Sequence, residues 1–270
     1  MTTVNKETLK EQLSQIDGFI CDMDGVIYYG SKLLPGVKEF VNWLKENNKS
    51  YLFLTNASDK SPTDLRGKLL NLGLDVDESH FYTSALATAR FLASQSPGCS
   101  AYVIGEPGLI NALYDQGISM NDTNPDYVVV GEGHNYNYET IIKACNMVNN
   151  GARLIGTNYD ITGPRDGGIG PACRAFTAPI ELATGKNAYF IGKPNPLMVR
   201  TGLRMLGTHS EKSAIIGDRM DTDIVSGIET GMHTFLVLTG VTDMHTVDKF
   251  PYRPEYILKG VCDIPEAFRD

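Results

Sequence analysis

Short apolar runs alternate along this chain with longer segments that have helical patterning. Each run has the length of a buried strand, and each segment between runs is long enough to form a helix. The pattern predicts strands at Phe19–Cys21, Tyr51–Leu54, Ala101–Ile104, Tyr127–Val130, Arg153–Gly156, Tyr189–Ile191, Ala214–Ile216 and Thr234–Leu238. Alternation of this kind is typical of βαβ units, so we expect an α/β fold built on a parallel sheet.

Residues that favour helix ends and turns mark the boundaries between these elements. The segment Ser61–Asp64 offers an N-cap hydroxyl, a proline at the first helical position and a carboxylate at the third, and Gly73 suits the end of that helix. A second helix is expected to begin near Tyr138 and to end at Asn149–Gly151. The segment Thr157–Arg174 holds four glycines and two prolines, which predicts a long irregular loop, and such loops are usually functional.

Length and composition describe an ordinary folded protein. At 270 residues the chain exceeds the roughly 100–200 residues of a typical domain, so one large or two moderate domains are expected. Hydrophobic residues make up 42% and charged residues 21%, values that differ from those of disordered chains. The five cysteines are scattered without CxxC spacing, which suggests neither a disulfide framework nor a zinc site.

Charge and hydropathy exclude two classes of partner. The net charge is −8 and no basic run occurs, so a nucleic-acid partner is not expected. The longest apolar stretches, such as Tyr127–Val130 and Phe235–Leu238, fall far short of the roughly 20 residues that span a bilayer. The polar N-terminal segment lacks the apolar region of a signal peptide, and we therefore expect a cytoplasmic protein without a membrane partner.

Four groups of polar residues directly follow predicted strands. They are Asp22-Met23-Asp24-Gly25-Val26, Thr55-Asn56, Gly192-Lys193-Pro194 and Gly217-Asp218-Arg219-Met220-Asp221-Thr222-Asp223. Any one group could simply cap a helix or form a turn. Ligands of open α/β sheets bind at the carboxyl ends of the strands, so the four groups together predict one site.

This set of residues suits phosphoryl transfer. A carboxylate can attack phosphorus and form an acyl phosphate, and we assign this role to Asp22. A second acid must protonate the leaving alkoxide and later deprotonate water, which Asp24 can do from two residues away. The Thr55 hydroxyl, the Lys193 ammonium and main-chain N–H groups near Gly25 and Asn56 would hold the phosphoryl oxygens.

The crowded carboxylates also predict a divalent cation. Two like charges about 4 Å apart repel by roughly 4 kcal/mol at an effective dielectric near 20, and a phosphate dianion must still approach them. Mg²⁺ prefers oxygen ligands and keeps several waters, so Asp22, Asp218 and the main-chain carbonyl of Asp24 would suffice to hold it, with Asp223 orienting a water.

The four groups together resemble the motifs of the haloacid dehalogenase superfamily. That family shows DxDG[TV], a Ser or Thr after a second strand, a distant Lys, and GDxxxxD; this chain has DMDGV, LTN, GKP and GDRMDTD in the same order. The match spans Asp22 to Asp223. The segments GFICDMDGVIYYG, LFLTNAS and YFIGKPNP are similar to the NagD-type branch.

The resemblance implies more than the residues do by themselves. It implies a Rossmann-like core of residues 1–81 and 189–270, with an inserted α/β cap of residues 82–188 that selects the leaving group. It also implies a magnesium-dependent phosphatase of small monoesters such as nucleoside monophosphates or sugar phosphates, and leaves a homodimer through the cap open. Within the loop Thr157–Arg174, the candidate substrate contacts are Asn158, Asp160, Arg165 and Arg174.

Three alternatives remain open at this point. A phosphoryl-accepting receiver module uses acids, Thr and Lys around a phospho-aspartate, but there the acid pair precedes a separate phosphorylated Asp and no cap is inserted. A catalytically idle ligand-binding protein on the same fold is disfavoured by the complete set of site residues. A phosphomutase or phosphonate-cleaving enzyme lies within the same superfamily, although phosphonate cleavage would need an amine that the sequence does not place.

Overall fold

The computed structural model describes residues 6–165 and 168–269. The strands in this part of the chain are β1 (Gly18–Cys21), β2 (Tyr28–Tyr29), β3 (Lys32–Leu33), β4 (Ser50–Thr55), β5 (Phe81–Thr83), β6 (Ser100–Ile104), β7 (Ser119–Met120), β8 (Tyr127–Val130), β9 (Arg153–Gly156), β10 (Thr162–Arg165), β11 (Gly168–Pro171), β12 (Tyr189–Phe190), β13 (Ser213–Gly217), β14 (His233–Val237) and β15 (Tyr256–Leu258).

Helices connect most of these strands. The α-helices of the described residues are α1 (Lys6–Gln15), α2 (Val37–Glu46), α3 (Pro62–Asn71), α4 (Ser84–Gln95), α5 (Pro107–Asp115), α6 (Tyr138–Asn149), α7 (Cys173–Thr184), α8 (Pro196–Leu206), α9 (Val225–Thr230), α10 (Met244–Val247) and α11 (Asp263–Glu266). None of them is both long enough and apolar enough to cross a lipid bilayer.

The chain divides into two compact units. The first contains the described residues up to Thr55, Lys68–Phe81 and the described residues from Val199 onward; the second contains Asn56–Gly67 and Tyr82–Met198. The residue boundaries expected for core and cap, 1–81 with 189–270 and 82–188, stay a prediction.

The first unit is built on a six-stranded sheet with the order β15-β14-β13-β1-β4-β5. The pairs β1–β13, β1–β4, β13–β14 and β14–β15 are parallel. All four residues of β1 and all five of β13 are buried, because the central strands of a parallel sheet are covered on both faces. Gly202 of α8 shows how closely a helix packs there: an added Cβ would stand 3.0 Å from Ile20 Cδ1.

The second unit has a parallel sheet of its own, with the order β12-β9-β8-β6-β7. Its core is formed by buried residues of the sheet, of α6 and α7, and of the connection from α6 to β9: Ile104, Val128, Val130, Ala144, Met147, Val148, Ala152, Leu154 and Ile180. Since each sheet has its own covered apolar face, each unit has what a domain needs to fold.

The α/β fold class is confirmed, and all eight strands predicted from apolar runs are present. The helix-end predictions are also confirmed: Asp64 N–H donates to Ser61 Oγ at 3.2 Å, and Ser61 N–H donates to Asp64 Oδ2 at 2.9 Å, which forms a reciprocal cap. α6 begins at Tyr138 and ends at Asn149.

The prediction of a wholly irregular loop at Thr157–Arg174 is wrong. β10 and β11 pair as an antiparallel hairpin, with Thr162 opposite Pro171 and Arg165 opposite Gly168, and α7 already begins at Cys173. Ladder hydrogen bonds use the main chain, so a glycine-rich and proline-rich segment can form short strands without an apolar pattern to reveal them.

Candidate active site

Three of the predicted site residues, Asp22, Thr55 and Asp218, lie at the carboxyl ends of neighbouring strands of the first sheet. Cys21 of β1 pairs with Phe53 of β4 on one side and with Ile216 of β13 on the other. Asp22 follows Cys21 directly, whereas Thr55 and Asp218 lie two residues beyond their paired positions. Parallel strands end on the same side, so the carboxyl edge of the sheet carries all three side chains.

Three carboxylates form a cluster at this edge. One ligand oxygen each from Asp22, Asp218 and Asp223 lie within 4.8 Å of one another, and this is the metal-type cluster found among the described residues. Asp22 is 9% exposed, Asp218 2% and Asp223 0%. At 4.8 Å and an effective dielectric near 20, each pair of charges repels by roughly 3–4 kcal/mol. The cluster therefore needs a compensating positive charge.

A tight turn after β1 presents the two acids of the DMDGV motif differently. Asp22 is anchored by its main-chain N–H, which donates to the carbonyl of Ile216 at 2.8 Å. The turn then closes through Gly25 N–H to Tyr28 O at 2.8 Å and Ile27 N–H to Met23 O at 2.8 Å. Asp24 lies on this turn and is exposed, so it can exchange protons with solvent.

Two glycines create the space that Asp218 occupies. Gly25 has a φ of +78°, and a Cβ there would stand 2.5 Å from Asp218 Oδ2. A Cβ on Gly240 would stand 1.9 Å from the same oxygen. Val241 N–H donates to that oxygen at 2.7 Å, and Thr242 N–H donates to Asp218 O at 3.2 Å. The carboxylate is thus held by main chain in a cradle that any side chain would fill.

The segment Thr239–Thr242 is the functional element that the sequence reasoning missed. Thr239 Oγ1 also donates to Gly25 O at 2.6 Å, so this segment contacts two of the predicted motifs. The available signal was the small polar run Thr-Gly-Val-Thr directly after the predicted strand Thr234–Leu238. It follows a strand end as the other groups do, but it carries no carboxylate or lysine.

Asp223 lies in a short π-helical turn, Met220–Ile224, that follows β13. Its Oδ2 accepts from Arg219 N–H at 3.2 Å. Gly217 permits this arrangement, because an added Cβ would stand 2.1 Å from Asp223 Cβ. π-helical turns are frequent at functional sites, and this one directs the last acid of GDRMDTD back toward Asp218.

Lys193 and Asn56 belong to the second unit, where they contact each other. Lys193 is 2% exposed. Its N–H donates to Asn56 Oδ1 at 2.8 Å, and its carbonyl accepts from Asn56 Nδ2 at 2.9 Å. The prediction that Lys193 serves the same site as Asp22 rests on the sequence motif and stays a prediction.

The cap residues predicted to contact substrate are held by neighbouring groups of the second unit. Asn158 is fully buried, and its Nδ2 donates to Asn56 O at 2.8 Å and to Glu132 Oε1 at 3.2 Å. Arg174 forms an ion pair with Glu181, and its guanidinium lies 5.5 Å from the ring centroid of Tyr159. Their roles toward substrate stay predictions.

Asp160 and Arg165 were the other two residues of that prediction. Asp160 Oδ2 accepts from Asn56 Nδ2 at 2.9 Å. Arg165 ends β10, and its side chain lies outside the described part of the structure.

Two buried thiols are unsuited to act as nucleophiles. Burial raises the pKa of the Cys21 thiol far above its ordinary value, and the adjacent charge of Asp22 raises it further. Burial likewise raises the pKa of Cys173 to about 11. Because the thiolate is the reactive form, neither cysteine is a candidate nucleophile at neutral pH.

Known proteins share both the sequence and the fold. Residues 19–119 match the family model described as haloacid dehalogenase-like hydrolase, and residues 190–264 match one described as HAD-hydrolase-like. The chain is 43% identical to dihydroxyacetone phosphatase of Corynebacterium glutamicum, covering 93% of this chain and 92% of that protein. It is 41% identical to ribonucleotide monophosphatase NagD of Escherichia coli, covering 92% and 98%.

Solved structures of phosphatases have the same fold as this chain. The structure of NagD from E. coli superposes with a TM-score of 0.87 at 41% identity, covering 92% of this chain and 97% of that chain. The 4-nitrophenylphosphatase of Thermotoga maritima superposes with a TM-score of 0.92 at 35% identity, covering 96% and 99%.

A carboxylate cluster at the carboxyl edge of a parallel core sheet is the arrangement expected of a metal-dependent phosphotransferase. The chain belongs to the haloacid dehalogenase-like hydrolases, in the NagD branch, and is a phosphatase of small phosphate monoesters. The predicted Rossmann-like core with a cap insertion is thereby confirmed as a fold class. A receiver module and an idle binding protein are no longer supported as alternatives.

The Asp218 cradle leads to a prediction for Gly240→Ala. The new methyl group would overlap Asp218 Oδ2, so either the carboxylate or the segment Thr239–Thr242 must move. We expect phosphatase kcat/KM to fall at least about tenfold and the free energy of unfolding to fall by about 1–3 kcal/mol. Steady-state kinetics and thermal melting at saturating Mg²⁺ would measure both quantities.

Gly67→Ala is the matched control for this substitution. Gly67 lies inside α3, and an added Cβ there meets nothing within 4 Å. The control should retain full activity and gain about 0.5–1 kcal/mol of stability, because alanine loses less conformational freedom than glycine in a helix. Unchanged kcat/KM in Gly240→Ala would show that the cradle does not determine the position of Asp218.

Proposed function

We propose that this phosphatase works through an aspartyl-phosphate on Asp22 with Mg²⁺ as its cofactor. The observation that carries the proposal is the cluster of three buried or nearly buried carboxylates, whose ligand oxygens lie within 4.8 Å of one another at the carboxyl edge of the sheet. A structural role does not require such mutual repulsion. A site that binds a cation beside a phosphoryl group does require carboxylates clustered in this way.

The reaction takes two displacements. The Asp22 carboxylate attacks phosphorus, the bond from phosphorus to the ester oxygen breaks, and Asp24 donates a proton to the departing alkoxide. A water molecule then attacks the phosphorus of the acyl phosphate, Asp24 takes its proton, and inorganic phosphate leaves with Asp22 restored. The exposed position of Asp24 suits a group that must meet both leaving alcohol and incoming water.

The residues at this edge fit a magnesium ion. Carboxylate and carbonyl oxygens are its preferred ligands, and the candidates are Asp22, Asp218, the main chain of Asp24, and Asp223. Gly25 and Gly240 leave the room that the Asp218 carboxylate occupies. When bound, Mg²⁺ neutralises the carboxylates and the phosphate dianion, which otherwise repel each other.

The phosphoryl oxygens require donors as well. Thr55 is the last residue of β4 and is 6% exposed, so its hydroxyl can donate at the carboxyl edge of the sheet. We assign main-chain N–H groups at Gly25 and Asn56 to the same task, because the carboxamide of Asn56 already bonds Lys193 and Asp160. Lys193 is the lysine of the family motif, and we assign to its ammonium group the positive charge that stabilises the phosphoryl oxygens.

The leaving group is proposed to be a sugar or a nucleoside. Two relatives are named dihydroxyacetone phosphatase and ribonucleotide monophosphatase, so both classes belong in the proposal. Asn158 and Arg174 of the second unit are the candidate contacts. The proposal also includes a homodimer formed through the cap and a cytoplasmic location. Analytical ultracentrifugation would measure whether the protein is a dimer.

A phosphate-release assay tests this function. We expect the purified protein to hydrolyse 4-nitrophenyl phosphate with Mg²⁺, and the activity to disappear with excess chelator and return with added Mg²⁺. Nucleoside monophosphates and sugar phosphates are then compared at equal concentration by kcat/KM. Equal activity with and without Mg²⁺ would refute the role of the cation, and absence of release from both classes would refute the substrate assignment.

A further inference from the structure

The carboxamide of Asn56 bonds both main-chain polar groups of one residue, Lys193. Oδ1 accepts from Lys193 N–H at 2.8 Å, and Nδ2 donates to Lys193 O at 2.9 Å. Paired bonds of this kind fix direction as well as distance, because two donors and two acceptors must align together. We call this pair of hydrogen bonds the lysine clamp.

The clamp is buried and is itself held in place. Asn56 is 9% exposed and Lys193 2%. The second hydrogen on Asn56 Nδ2 goes to Asp160 Oδ2 at 2.9 Å, and the carbonyl of Asn56 accepts from Asn158 Nδ2 at 2.8 Å and from Ser84 Oγ at 2.5 Å. Both amide hydrogens are therefore committed to protein groups, and the main chain of Asn56 cannot shift without losing further bonds.

Gly192 provides independent evidence that the chain is packed around the clamp. An added Cβ there would stand 2.6 Å from Asn56 Oδ1 and 2.8 Å from Thr157 O. Gly192 N–H donates to Thr157 O at 2.8 Å, which brings the main chain before Lys193 close to β9. The glycine of the GKP motif thus makes room for the carboxamide that bonds Lys193.

We propose that Asn56 is a positioning residue for the Lys193 ammonium group. The inference rests on the proposed function, which gives Lys193 a charge-stabilising role toward the phosphoryl group. A lysine ammonium stands at the end of a flexible four-carbon chain, so its location depends on how firmly its main chain is held. An error of about 1 Å in the position of such a group can cost about a hundredfold in rate.

Asn56→Asp tests the clamp with little change in side-chain shape. A carboxylate cannot donate, so it would face the Lys193 carbonyl and the Asp160 carboxylate with oxygen against oxygen. We expect kcat for 4-nitrophenyl phosphate to fall about tenfold to a hundredfold. The control is Asn121→Asp, because Asn121 closes a turn of the same unit and bonds Asn124 O and the N–H groups of Thr123 and Asn124.

A double-mutant cycle with Lys193→Met separates positioning from general damage. If Asn56 acts through Lys193, the double variant should have the kcat of Lys193→Met alone, because the clamp has no ammonium left to position. Losses that multiply would show that Asn56 supports the fold generally, and would overturn the inference. Full activity in Lys193→Met would instead refute the proposed role of Lys193. That result would count against the proposed function, and it is distinguishable because it appears in the single variant Lys193→Met.

Gly192→Ala keeps the inference testable if Asn56→Asp does not fold. The added methyl group displaces the Asn56 carboxamide without removing any hydrogen-bonding group. In this second cycle we again expect the double variant, Gly192→Ala with Lys193→Met, to have the kcat of Lys193→Met alone. Thermal melting of every variant, including Asn121→Asp, identifies losses that come from unfolding, and a loss of kcat in Asn121→Asp equal to that in Asn56→Asp would overturn the clamp.

Discussion

Asp22→Asn is expected to abolish phosphatase turnover while leaving the protein folded. The amide nitrogen and oxygen of asparagine lack the negative charge that attacks phosphorus, so no acyl phosphate forms. Loss of a catalytic nucleophile lowers kcat by about 10⁴-fold or more. Stability should be unchanged or higher in metal-free buffer, because the substitution removes one of three charges that repel within 4.8 Å.

Asp17→Asn is a suitable control for this substitution. Asp17 precedes β1 as Asp22 follows it, and its exposed carboxylate lies 3.8 Å from Lys212 Nζ. We expect full activity in the control, since an exposed ion pair of this kind contributes little. Measurable turnover by Asp22→Asn at the wild-type rate would refute the nucleophile assignment.

The substitution Asp24→Asn tests the acid–base role of Asp24 in the two chemical steps. Acid-quenched protein examined by mass spectrometry should carry no phosphoryl group in Asp22→Asn. In Asp24→Asn the phosphoryl group should either persist longer than in the wild type or form too slowly to be seen, because the proton donor and acceptor is missing. If the phosphoryl group formed and was hydrolysed in Asp24→Asn as fast as in the wild type, that result would contradict the acid–base role of Asp24.

Asp218→Asn should remove the response of the protein to Mg²⁺. Asp218 is nearly fully buried, and Val241 N–H already donates to its Oδ2. An asparagine oxygen can still accept that bond, but the charge that attracts the cation is lost. We expect kcat/KM to fall about 10²–10³-fold, in the range seen when one electrostatic stabiliser of a transition state is removed.

Thermal melting gives a second readout that does not depend on activity. Added Mg²⁺ should raise the melting temperature of the wild type, because a ligand that binds only the folded state stabilises it. Asp218→Asn should show little or no such rise. The control is Asp221→Asn: Asp221 lies in the same motif but is exposed and accepts from Arg219 Nε at 3.0 Å and Nη2 at 2.8 Å. A wild-type rise in Asp218→Asn would refute its place in the metal site.

Much of the fold could be predicted because apolar runs of strand length report burial directly. β8 and β9 match the predicted ranges residue for residue, since all of β8 and the last three residues of β9 are buried. Five short strands went unpredicted, namely β2, β3, β5, β7 and β15. They have two or three residues each, too few for a period to be seen. The hairpin of β10 and β11 was missed because its pairing depends on main-chain bonds.

The candidate site was partly predictable for a similar reason. Carboxylates that follow buried strands must lie at the carboxyl edge of a parallel sheet, so Asp22 and Asp218 could be brought together from their positions alone. The segment Thr239–Thr242 was not predicted, because a glycine, two main-chain N–H groups and one threonine hydroxyl act there, without a carboxylate or a lysine to mark the site.

By itself, the sequence determined the eight strands that follow apolar runs, the order of the site motifs and the chemical groups available, because local patterning and residue type depend only on the chain. Only the tertiary structure decided which atoms contact one another. The close approach of Gly240 to Asp218 and the bonds from Asn56 to the main chain of Lys193 join residues 22 and 137 positions apart. Contacts of this kind are set by how elements pack in space, which no local pattern of residues records.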